Sequence, residues 1–226
     1  MGLTLAFLQA RMGSTRLPGK VLMKMAGKSI LFRAIERLQA ARVLDGVVVL
    51  TTTLKEDNRV VDEALGAGAD IYRGPTWDVL RRFQEASERF APEVVVRATA
   101  DNPLIDIGSV NRTVEALRRG KLDWCMEGDL PLGAATEAVS AVALEKVDRK
   151  ATAEPHREHV TLYIKEHPEE FQTAILQPPE ELRRPDVRLT VDTRTDFDRV
   201  GGLVQRMPEG RKPIELAKYL GMLGCE

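Results

Sequence analysis

A basic, glycine-containing loop near the start of the chain is the first stretch whose residue types and spacing could do chemistry. Residues 9–20 read QARMGSTRLPGK and carry three cations within ten positions, Arg11, Arg16 and Lys20. Gly13 and Gly19 allow the backbone to turn where a side chain would clash. Because guanidinium and ammonium groups bind phosphate oxygens, the loop suits a polyphosphate, although a polar loop without a ligand is the plainer alternative.

The spacing in this loop excludes two familiar phosphate-binding motifs. A P-loop reads G-x-x-x-x-G-K-[ST], whereas here Gly13 and Gly19 are one residue too far apart and Val21 follows Lys20. The dinucleotide fingerprint G-x-G-x-x-G is also absent. The position of the loop in the fold and its neighbours must therefore decide what it binds.

Two aspartates could supply the metal that phosphate chemistry commonly uses. Asp101 follows the apolar residues 94–96, and Asp192 follows a valine-containing stretch that begins at Val187. Parallel sheets place their ligands beyond the carboxyl ends of the strands, and Mg²⁺ often takes one or two carboxylates together with water and substrate phosphate. The two side chains therefore indicate either a magnesium site facing the basic loop or two ordinary caps of turns or helices.

Alternating strands and helices are predicted to position these residues over the first half of the chain. The apolar run 3–8 precedes the loop, and an amphipathic stripe from about Ser29 predicts a covering helix. The mostly β-branched segment 47–53 is typical of a strand buried on both faces of a parallel sheet. Further strands are predicted at 70–72 and 94–96, and further helices after caps at Asp57 or Asn58, Thr76 and Asp106.

The second half is less regular. Strands are predicted at 123–126 on a sheet edge, at 173–177 and from Val187, and helices at 156–166, from a cap at Thr195 through Met207, and from Pro213 over 214–223. We expect a single α/β domain over residues 1–226. Its architecture is predicted to be a Rossmann-like three-layer αβα sandwich with a mostly parallel central sheet and a small irregular α/β insertion in the second half.

Composition favours a soluble globular protein in which any basic function is local. The 226 residues are 43% hydrophobic and 30% charged with a net charge of −1, which gives no bulk electrostatic case for nucleic acid. The apolar run at the amino end is too short for a signal sequence or a membrane span, so we expect a cytoplasmic protein without a membrane partner. Cys125 and Cys225 lack metal-type spacing, which predicts inert thiols in a reducing compartment.

Several motifs in a fixed order carry a resemblance to a known family. They are QARMGSTRLPGKVL at 9–22, RGPTWDVLRRF at 73–83, RATADNPLID at 97–106, REHVT at 157–161 and RLTVDTRTDF at 188–197. On these motifs the chain resembles, nearly end to end, the spore coat polysaccharide biosynthesis protein F group. That group lies within the superfamily of CMP-sugar synthetases, which includes the 3-deoxy-manno-octulosonate and acylneuraminate cytidylyltransferases.

The resemblance implies a Mg²⁺-dependent nucleotidyltransferase that joins CTP to a nonulosonate-like sugar, releases pyrophosphate and serves surface or spore-coat polysaccharide synthesis. It implies phosphate contacts from Arg11, Ser14, Arg16 and Lys20, of which the three cations are catalytic and Lys20 holds the leaving group. It also places the Ala10 backbone and Arg73 or Asp78 near the nucleoside, and Mg²⁺ on Asp101 and Asp192. Residues 1–120 would bind the nucleotide, 121–186 would bind the acceptor and form a homodimer, and 187–226 would return to the core.

The sequence departs from the family pattern in its acceptor segment. Residues 133–138 read GAATEA, which keeps Glu137 but places Ala135 where an aspartate is often found. Arg157 and Glu158 are the other acceptor candidates, with a plain surface helix as the alternative. His156 and His159 have the spacing of a metal pair but no evident third ligand, and Trp77 and Trp124 are predicted to be packing residues. Two alternative functions stay open: a non-catalytic nucleotide-binding module, and a glycosyltransferase that uses a nucleotide-sugar donor.

Overall fold

The computed structural model describes residues 2–207 and 212–223. The strands are β1 (Thr4–Gln9), β2 (Lys24–Met25), β3 (Lys28–Ser29), β4 (Gly46–Thr52), β5 (Asp70–Gly74), β6 (Val94–Thr99), β7 (Trp124–Glu127), β8 (Glu137–Ser140) and β9 (Thr173–Leu176). The α-helices are α1 (Ile30–Gln39), α2 (Asn58–Gly66), α3 (Val79–Phe90), α4 (Ile107–Gly120), α5 (Ala141–Lys150), α6 (Glu154–Glu158), α7 (Leu162–Glu166), α8 (Arg194–Gln205) and α9 (Leu216–Gly221). Short 3-10 turns cover Lys20–Leu22, Lys55–Asp57, Pro168–Glu170 and Glu180–Leu182.

The central sheet has seven strands in the order β5-β4-β1-β6-β8-β7-β9. β1 pairs in parallel with β4 and β6, and β4 pairs in parallel with β5. β8 is antiparallel to both of its neighbours, while β7 and β9 are parallel to each other. The sheet is therefore mostly parallel, and the carboxyl ends of β1, β4, β5 and β6 share one edge.

Helices cover both faces of the sheet because the strand side chains alternate between two apolar layers. Along β1, Ala6 and Leu8 pack with α1, α2 and α4, whereas Leu5 and Phe7 pack with α3, α5 and α7. Each of these four side chains is 5% exposed or less, and full burial of a residue such as Phe7 contributes about 1.5–3 kcal/mol. The predicted Rossmann-like three-layer fold is confirmed. No helix among residues 2–207 and 212–223 combines the length and apolarity needed to cross a bilayer.

The segment that leads to Asp192 is not the sheet strand that the sequence predicts. It forms a single parallel bridge, between Leu132 and Arg188, and Val191 N donates to Asp101 O at 2.9 Å. The valine and leucine side chains of this segment instead pack into a third apolar cluster with α8 and α9. The prediction failed because an alternating apolar pattern indicates burial, which an extended segment outside the sheet can also provide.

Several predicted boundaries also differ. Asp78, not Thr76, caps α3 by accepting from Arg81 N at 2.8 Å, and Thr193, not Thr195, caps α8 in a capping box with Asp196. Asp57 precedes α2 without capping it, the predicted helix 156–166 is divided into α6 and α7, and β9 rather than β7 forms the sheet edge. Helices α8 and α9 end earlier than predicted, at Gln205 and Gly221.

The predictions for tryptophan and cysteine meet different outcomes. Trp124 is 3% exposed and packs as predicted, whereas Trp77 is 83% exposed, so the packing prediction is wrong for that residue. Burial raises the pKa of the Cys125 thiol to about 11, which keeps the thiol protonated and unreactive at neutral pH. Cys225 lies outside the described residues.

Candidate active site

A cleft of about 390 Å³ opens at the carboxyl ends of β1 and β6, where parallel sheets place their ligands. The basic loop forms one wall, and the start of α3 and the junction of α6 with α7 contribute the others. The charged side chains of the lining comprise five cations and three carboxylates: Arg11, Arg16, Lys20, Arg82 and Arg97, with Asp101, Glu158 and Asp192. This excess of positive charge suits an anionic ligand.

Backbone hydrogen bonds and one buried aspartate fix the shape of the basic loop. Ser14 N and Gly19 N donate to Met12 O at 2.8 and 3.0 Å. Gly19 has φ of 69°, in the left-handed region that glycine adopts without strain. Met12 N in turn donates to Asp57 Oδ1 at 2.7 Å, and the second oxygen of Asp57 accepts from the Thr52 hydroxyl. Asp57 is fully buried, so it ties the loop to the end of β4.

Lys20 joins the loop to both predicted metal aspartates. Its ammonium lies 2.9 Å from Asp101 Oδ2, 3.0 Å from Asp192 Oδ1 and 2.8 Å from Val191 O. The lysine side chain is 10% exposed, and the chain brings it here through the 3-10 turn that begins at this residue. The loop and the two carboxylates therefore meet at one point, although Lys20 and Asp192 are 172 residues apart in the sequence.

Asp192 is surrounded by cations. Arg16 Nη2 lies 2.8 Å from Oδ1, and Arg188 Nη2 lies 2.6 Å from Oδ2. Partial burial raises the pKa of Asp192. The hydrogen bond and charge of Lys20, together with the two arginines, lower the pKa by more than burial raises it, so the net pKa is below the ordinary aspartate value. Asp192 is therefore a carboxylate throughout the physiological pH range.

The donor set at this point fits a Mg²⁺ ion. The ammonium of Lys20 occupies the space between two carboxylates, where it stands in for a cation, and Mg²⁺ needs only one or two carboxylates when a phosphate supplies further oxygens. Among residues 2–207 and 212–223, no group of three or more His, Cys, Asp or Glu side chains could hold a metal by itself. The histidine pair of HREHV accordingly has no third ligand there, and His156 instead contacts Glu166 Oε2 at 2.6 Å.

The structure places eight of the twelve predicted site residues in the lining of the cleft. These are Ala10, Arg11, Ser14, Arg16, Lys20, Asp101, Glu158 and Asp192. Arg73 lies outside the lining and binds the turn after β4, through Thr52 O at 2.9 Å and Leu54 O at 2.8 Å. Asp78 and Arg157 also lie outside it and pair with each other, at 2.7 Å between Nη2 and Oδ2.

The predicted acceptor residue Glu137 is likewise absent from the lining. It is 8% exposed and lies behind Arg97, with Nη1 of the arginine 3.6 Å from its Oε1. Ala135, which replaces the family's aspartate, is partly buried against the third apolar cluster and does not line the cleft. Glu137 therefore does not face the cleft, and Arg97, which lies between Glu137 and the cleft, does.

Sequence reasoning missed several lining residues, above all Arg82 and Arg97. Arg82 is 2% exposed and donates to Pro75 O at 3.0 Å and to Thr76 O at 3.1 Å. Burial and the nearby charge of Arg11 lower its pKa to about 10. A signal was available, because each arginine has apolar neighbours in its element: Arg82 lies one turn after Val79 in α3, and Arg97 follows three valines in β6.

The fold has three layers around a mostly parallel sheet, and a cation-rich loop and two aspartates meet at one edge of that sheet. This combination is typical of enzymes that act on phosphorylated nucleotides. The comparisons make this specific: the chain belongs to the cytidylyltransferase family, whose model matches residues 5–216. It is therefore a nucleotidyltransferase, and the resemblance to the CMP-sugar synthetase superfamily is confirmed.

Individual relatives agree with this assignment. The spore coat polysaccharide biosynthesis protein SpsF of Bacillus subtilis is 34% identical over 224 residues, which cover 97% of this chain and 93% of that protein. A cytidylyltransferase structure from Leptospira borgpetersenii superposes with a TM-score of 0.90 at 28% identity, over 98% of this chain and 93% of the other. A CMP:2-keto-3-deoxy-manno-octonic acid synthetase in complex with CTP shares the fold, with a TM-score of 0.70 at 16% identity over 90% and 99% of the two chains.

Proposed function

We propose that the chain transfers the cytidylyl group of CTP to a nonulosonate-like sugar, releasing pyrophosphate, as a step in surface or spore-coat polysaccharide synthesis. The observation that carries this proposal is the meeting of Lys20, Asp101 and Asp192 within 3.0 Å at a cleft with excess positive charge. The family membership and the CTP bound to a synthetase of the same fold support the nucleotide. The polysaccharide role rests on the likeness to SpsF.

In this proposal the basic loop holds the triphosphate. Arg11 and Arg16 offer planar guanidinium forks to phosphate oxygens, Ser14 offers a hydroxyl, and Lys20 offers a point charge that turns from the aspartates toward the leaving pyrophosphate. The Ala10 backbone contacts the nucleoside. Arg73 and Asp78 would act without touching the nucleotide: Arg73 binds the turn that contains Leu54, and Asp78 fixes the start of α3.

Asp101 and Asp192 would hold Mg²⁺. When bound, the ion would neutralise charge on the phosphates and orient them for in-line displacement. The residues of the chain do the remaining work. Thr99 donates to Asp101 Oδ1 at 2.7 Å and Arg188 binds Asp192 Oδ2, so each carboxylate keeps a fixed orientation.

The proposed reaction is a single displacement. A sugar hydroxyl oxygen forms a bond to the α-phosphorus, the bond from that phosphorus to the bridging oxygen breaks, and pyrophosphate leaves with the electron pair. The hydroxyl proton passes to water through the open cleft. Glu158, which lines the cleft, would accept a hydrogen bond from another sugar hydroxyl. Cations placed around developing phosphate charge account for the rate.

Two further expectations accompany this proposal. The chain works in the cytoplasm, where CTP is available, and residues 121–186 form a homodimer. Size-exclusion chromatography with light scattering tests the dimer, and a monomeric mass at micromolar concentration would contradict it.

A pyrophosphate-release assay tests the function. The wild-type protein is incubated with CTP, Mg²⁺ and a panel of acidic sugars, and Asp101→Asn should reduce turnover by at least about 100-fold, as expected when charge stabilisation of the transition state is lost. Asp70→Asn, an exposed position at the start of β5, is the matched control. CTP binding without turnover of any sugar would favour a binding module, and tighter binding of a CMP-sugar than of CTP would favour a glycosyltransferase.

A further inference from the structure

Arg97 is a charged residue in the middle of an otherwise apolar strand. In β6 it follows three buried valines, and it shares the face of Val95 that packs against α3, α5 and α7. Its side chain is 18% exposed, and the exposed part lines the cleft. A guanidinium at this depth has a large desolvation cost unless something binds it.

Within the described residues, the guanidinium of Arg97 makes no hydrogen bond. Its Nε is fully buried without a partner, and the single ion pair is to Glu137, at 3.6 Å from Nη1 to Oε1, beyond hydrogen-bond range. A guanidinium carries five N–H donors, and buried polar groups in native proteins are nearly always satisfied. The guanidinium of Arg97 therefore has unsatisfied donors that a bound ligand could satisfy.

Glu137 does not meet this need because other donors occupy it. Lys165 Nζ lies 2.6 Å from its Oε1, Trp124 Nε1 lies 3.3 Å from its Oε2, and the Thr161 hydroxyl donates to the same Oε2. One carboxylate thus serves two cations. The pair of Arg97 and Lys165 keeps one unit of positive charge, and Arg97 is the member that lines the cleft.

We propose that Arg97 binds the carboxylate of the sugar acceptor and so selects acidic sugars. The inference rests on the proposed cytidylyl transfer and assigns its acceptor specificity to one residue. Arg97 lies two residues before Thr99 on the same strand face, about 7 Å away, and Thr99 binds Asp101. An acid held on Arg97 therefore places the neighbouring sugar carbons beside the reaction centre.

The charge balance favours a carboxylate over a phosphate. A planar guanidinium can bind either group through two parallel hydrogen bonds, but the one positive charge left on Arg97, Lys165 and Glu137 matches the single negative charge of a carboxylate. The basic loop supplies the several cations that a phosphate takes. In this arrangement Glu137 is a positioning residue. It lies opposite Arg97 in the β6 and β8 register and holds the guanidinium without neutralising it.

Substitutions with opposite expected effects test the inference. Turnover is measured by pyrophosphate release with CTP and three sets of acceptors: the sugar acids N-acetylneuraminate and 3-deoxy-manno-octulosonate, the C1 methyl esters of both, and sugar 1-phosphates. The wild-type protein should prefer the acids. Arg97→Met should raise the KM for the acid by about 100-fold, the usual cost of an unmet charged hydrogen bond, and leave the KM for CTP within about twofold and the ester rates unchanged.

Two further variants separate recognition from structural damage. Glu137→Gln removes the competing charge and should lower the KM for the acid, whereas a purely structural role predicts an increase. Arg97→Lys should recover part of the acid preference. Arg149→Met, exposed on α5, is the matched control, and calorimetric titration with CTP verifies that each variant is folded.

The outcomes distinguish this inference from the proposed function. Pyrophosphate release only with neutral sugars, or an acid-to-ester ratio unchanged in Arg97→Met, overturns the role of Arg97 while cytidylyl transfer stands. A loss confined to the sugar 1-phosphates overturns the carboxylate. If no acceptor reacts, calorimetry of each acid with the CTP-saturated wild-type protein decides: no binding, or equal binding by Arg97→Met, overturns the inference, and binding that Arg97→Met abolishes supports it although the transfer proposal fails.

Discussion

The ammonium of Lys20 lies 3.0 Å from Oδ1 of Asp192. This contact links the first loop of the chain to a segment 172 residues later, and the same ammonium binds Asp101 at 2.9 Å. Lys20 therefore occupies the place that a divalent cation would take between the two carboxylates. Removal of the lysine charge should affect the nucleotide and the metal in opposite directions.

Lys20→Met tests this opposition. We expect kcat with CTP to fall by about 100-fold or more, since the positive charge that stabilises the leaving pyrophosphate is lost. In the absence of nucleotide, however, Mn²⁺ should bind about tenfold more tightly, because a competing unit charge leaves a partly buried site. Mn²⁺ binding is followed by electron paramagnetic resonance, with the exposed Lys24→Met as control. Unchanged or weaker Mn²⁺ binding in Lys20→Met would show that the aspartates do not form the metal site.

Asp57 offers a test of loop geometry without any change in the residues that line the cleft. Asp57→Ala leaves Met12 N without its acceptor, so the loop should lose its fixed shape and the KM for CTP should rise by about tenfold, the effect expected from the loss of a buried hydrogen bond to a charged group. Asp57→Asn keeps an acceptor oxygen and should have an intermediate effect.

Steady-state kinetics at varied CTP with saturating acceptor measure the Asp57 variants. Asp62→Ala, which removes an exposed carboxylate on the helix that follows Asp57, is the control. A fall in kcat with no change in the KM for CTP would indicate that Asp57 acts on something other than nucleotide binding.

The order of strands and helices over the first half of the chain could be predicted because each element carries its own periodicity. The run of β-branched residues in β4 and the amphipathic stripe of α1 are local signals, and both elements appear in the structure. The meeting of Asp101 with the basic loop could also be predicted, since parallel strand ends share an edge. Asp192 reaches the same place from outside the sheet, so its position was predicted for a reason that is partly wrong.

The acceptor side could not be predicted from local patterns. Glu137 was selected by its position in a motif, yet its orientation depends on the pairing of β8 with β6, which brings it behind Arg97. That pairing is antiparallel and joins residues 40 positions apart in the chain, and no periodicity in the sequence encodes it. Arg82 was missed because an arginine within a helix is usually assigned to the solvent face, whereas this one is 2% exposed.

Arg82 should couple nucleotide binding to stability. It is a buried cation that binds only backbone carbonyls among the contacts described, and burial lowers its pKa to about 10. A phosphate or base oxygen would satisfy it, so Arg82→Met should weaken CTP binding by about 30-fold or more, as for other charged hydrogen bonds. The melting temperature is measured with and without CTP. The shift produced by CTP should shrink in Arg82→Met but not in Arg89→Met on the exposed end of the same helix; equal shifts would contradict a role for Arg82.

The carboxylate of Asp196 should stabilise the fold in a way that disappears in acid. Its side chain is 7% exposed, accepts from Arg188 Nε at 3.0 Å and Arg199 Nη2 at 2.7 Å, and closes the capping box with Thr193. Burial raises its pKa, but these hydrogen bonds outweigh that effect and hold the pKa well below the ordinary aspartate value of 3.8.

Because the folded-state pKa is depressed, the stabilisation is complete above pH 3.8, the unfolded value, and is lost as the pH falls from there toward the folded value. Asp196→Asn should therefore reduce the free energy of unfolding by about 2 kcal/mol at pH 7 and by much less near pH 2.5. Denaturant unfolding at both pH values measures the difference. Asp198→Asn is the control, since its pair with Arg194 is largely exposed and should contribute about 0.5 kcal/mol or less. If Asp196→Asn reduced the free energy of unfolding equally at both pH values, the loss would arise from packing rather than from the charge of Asp196.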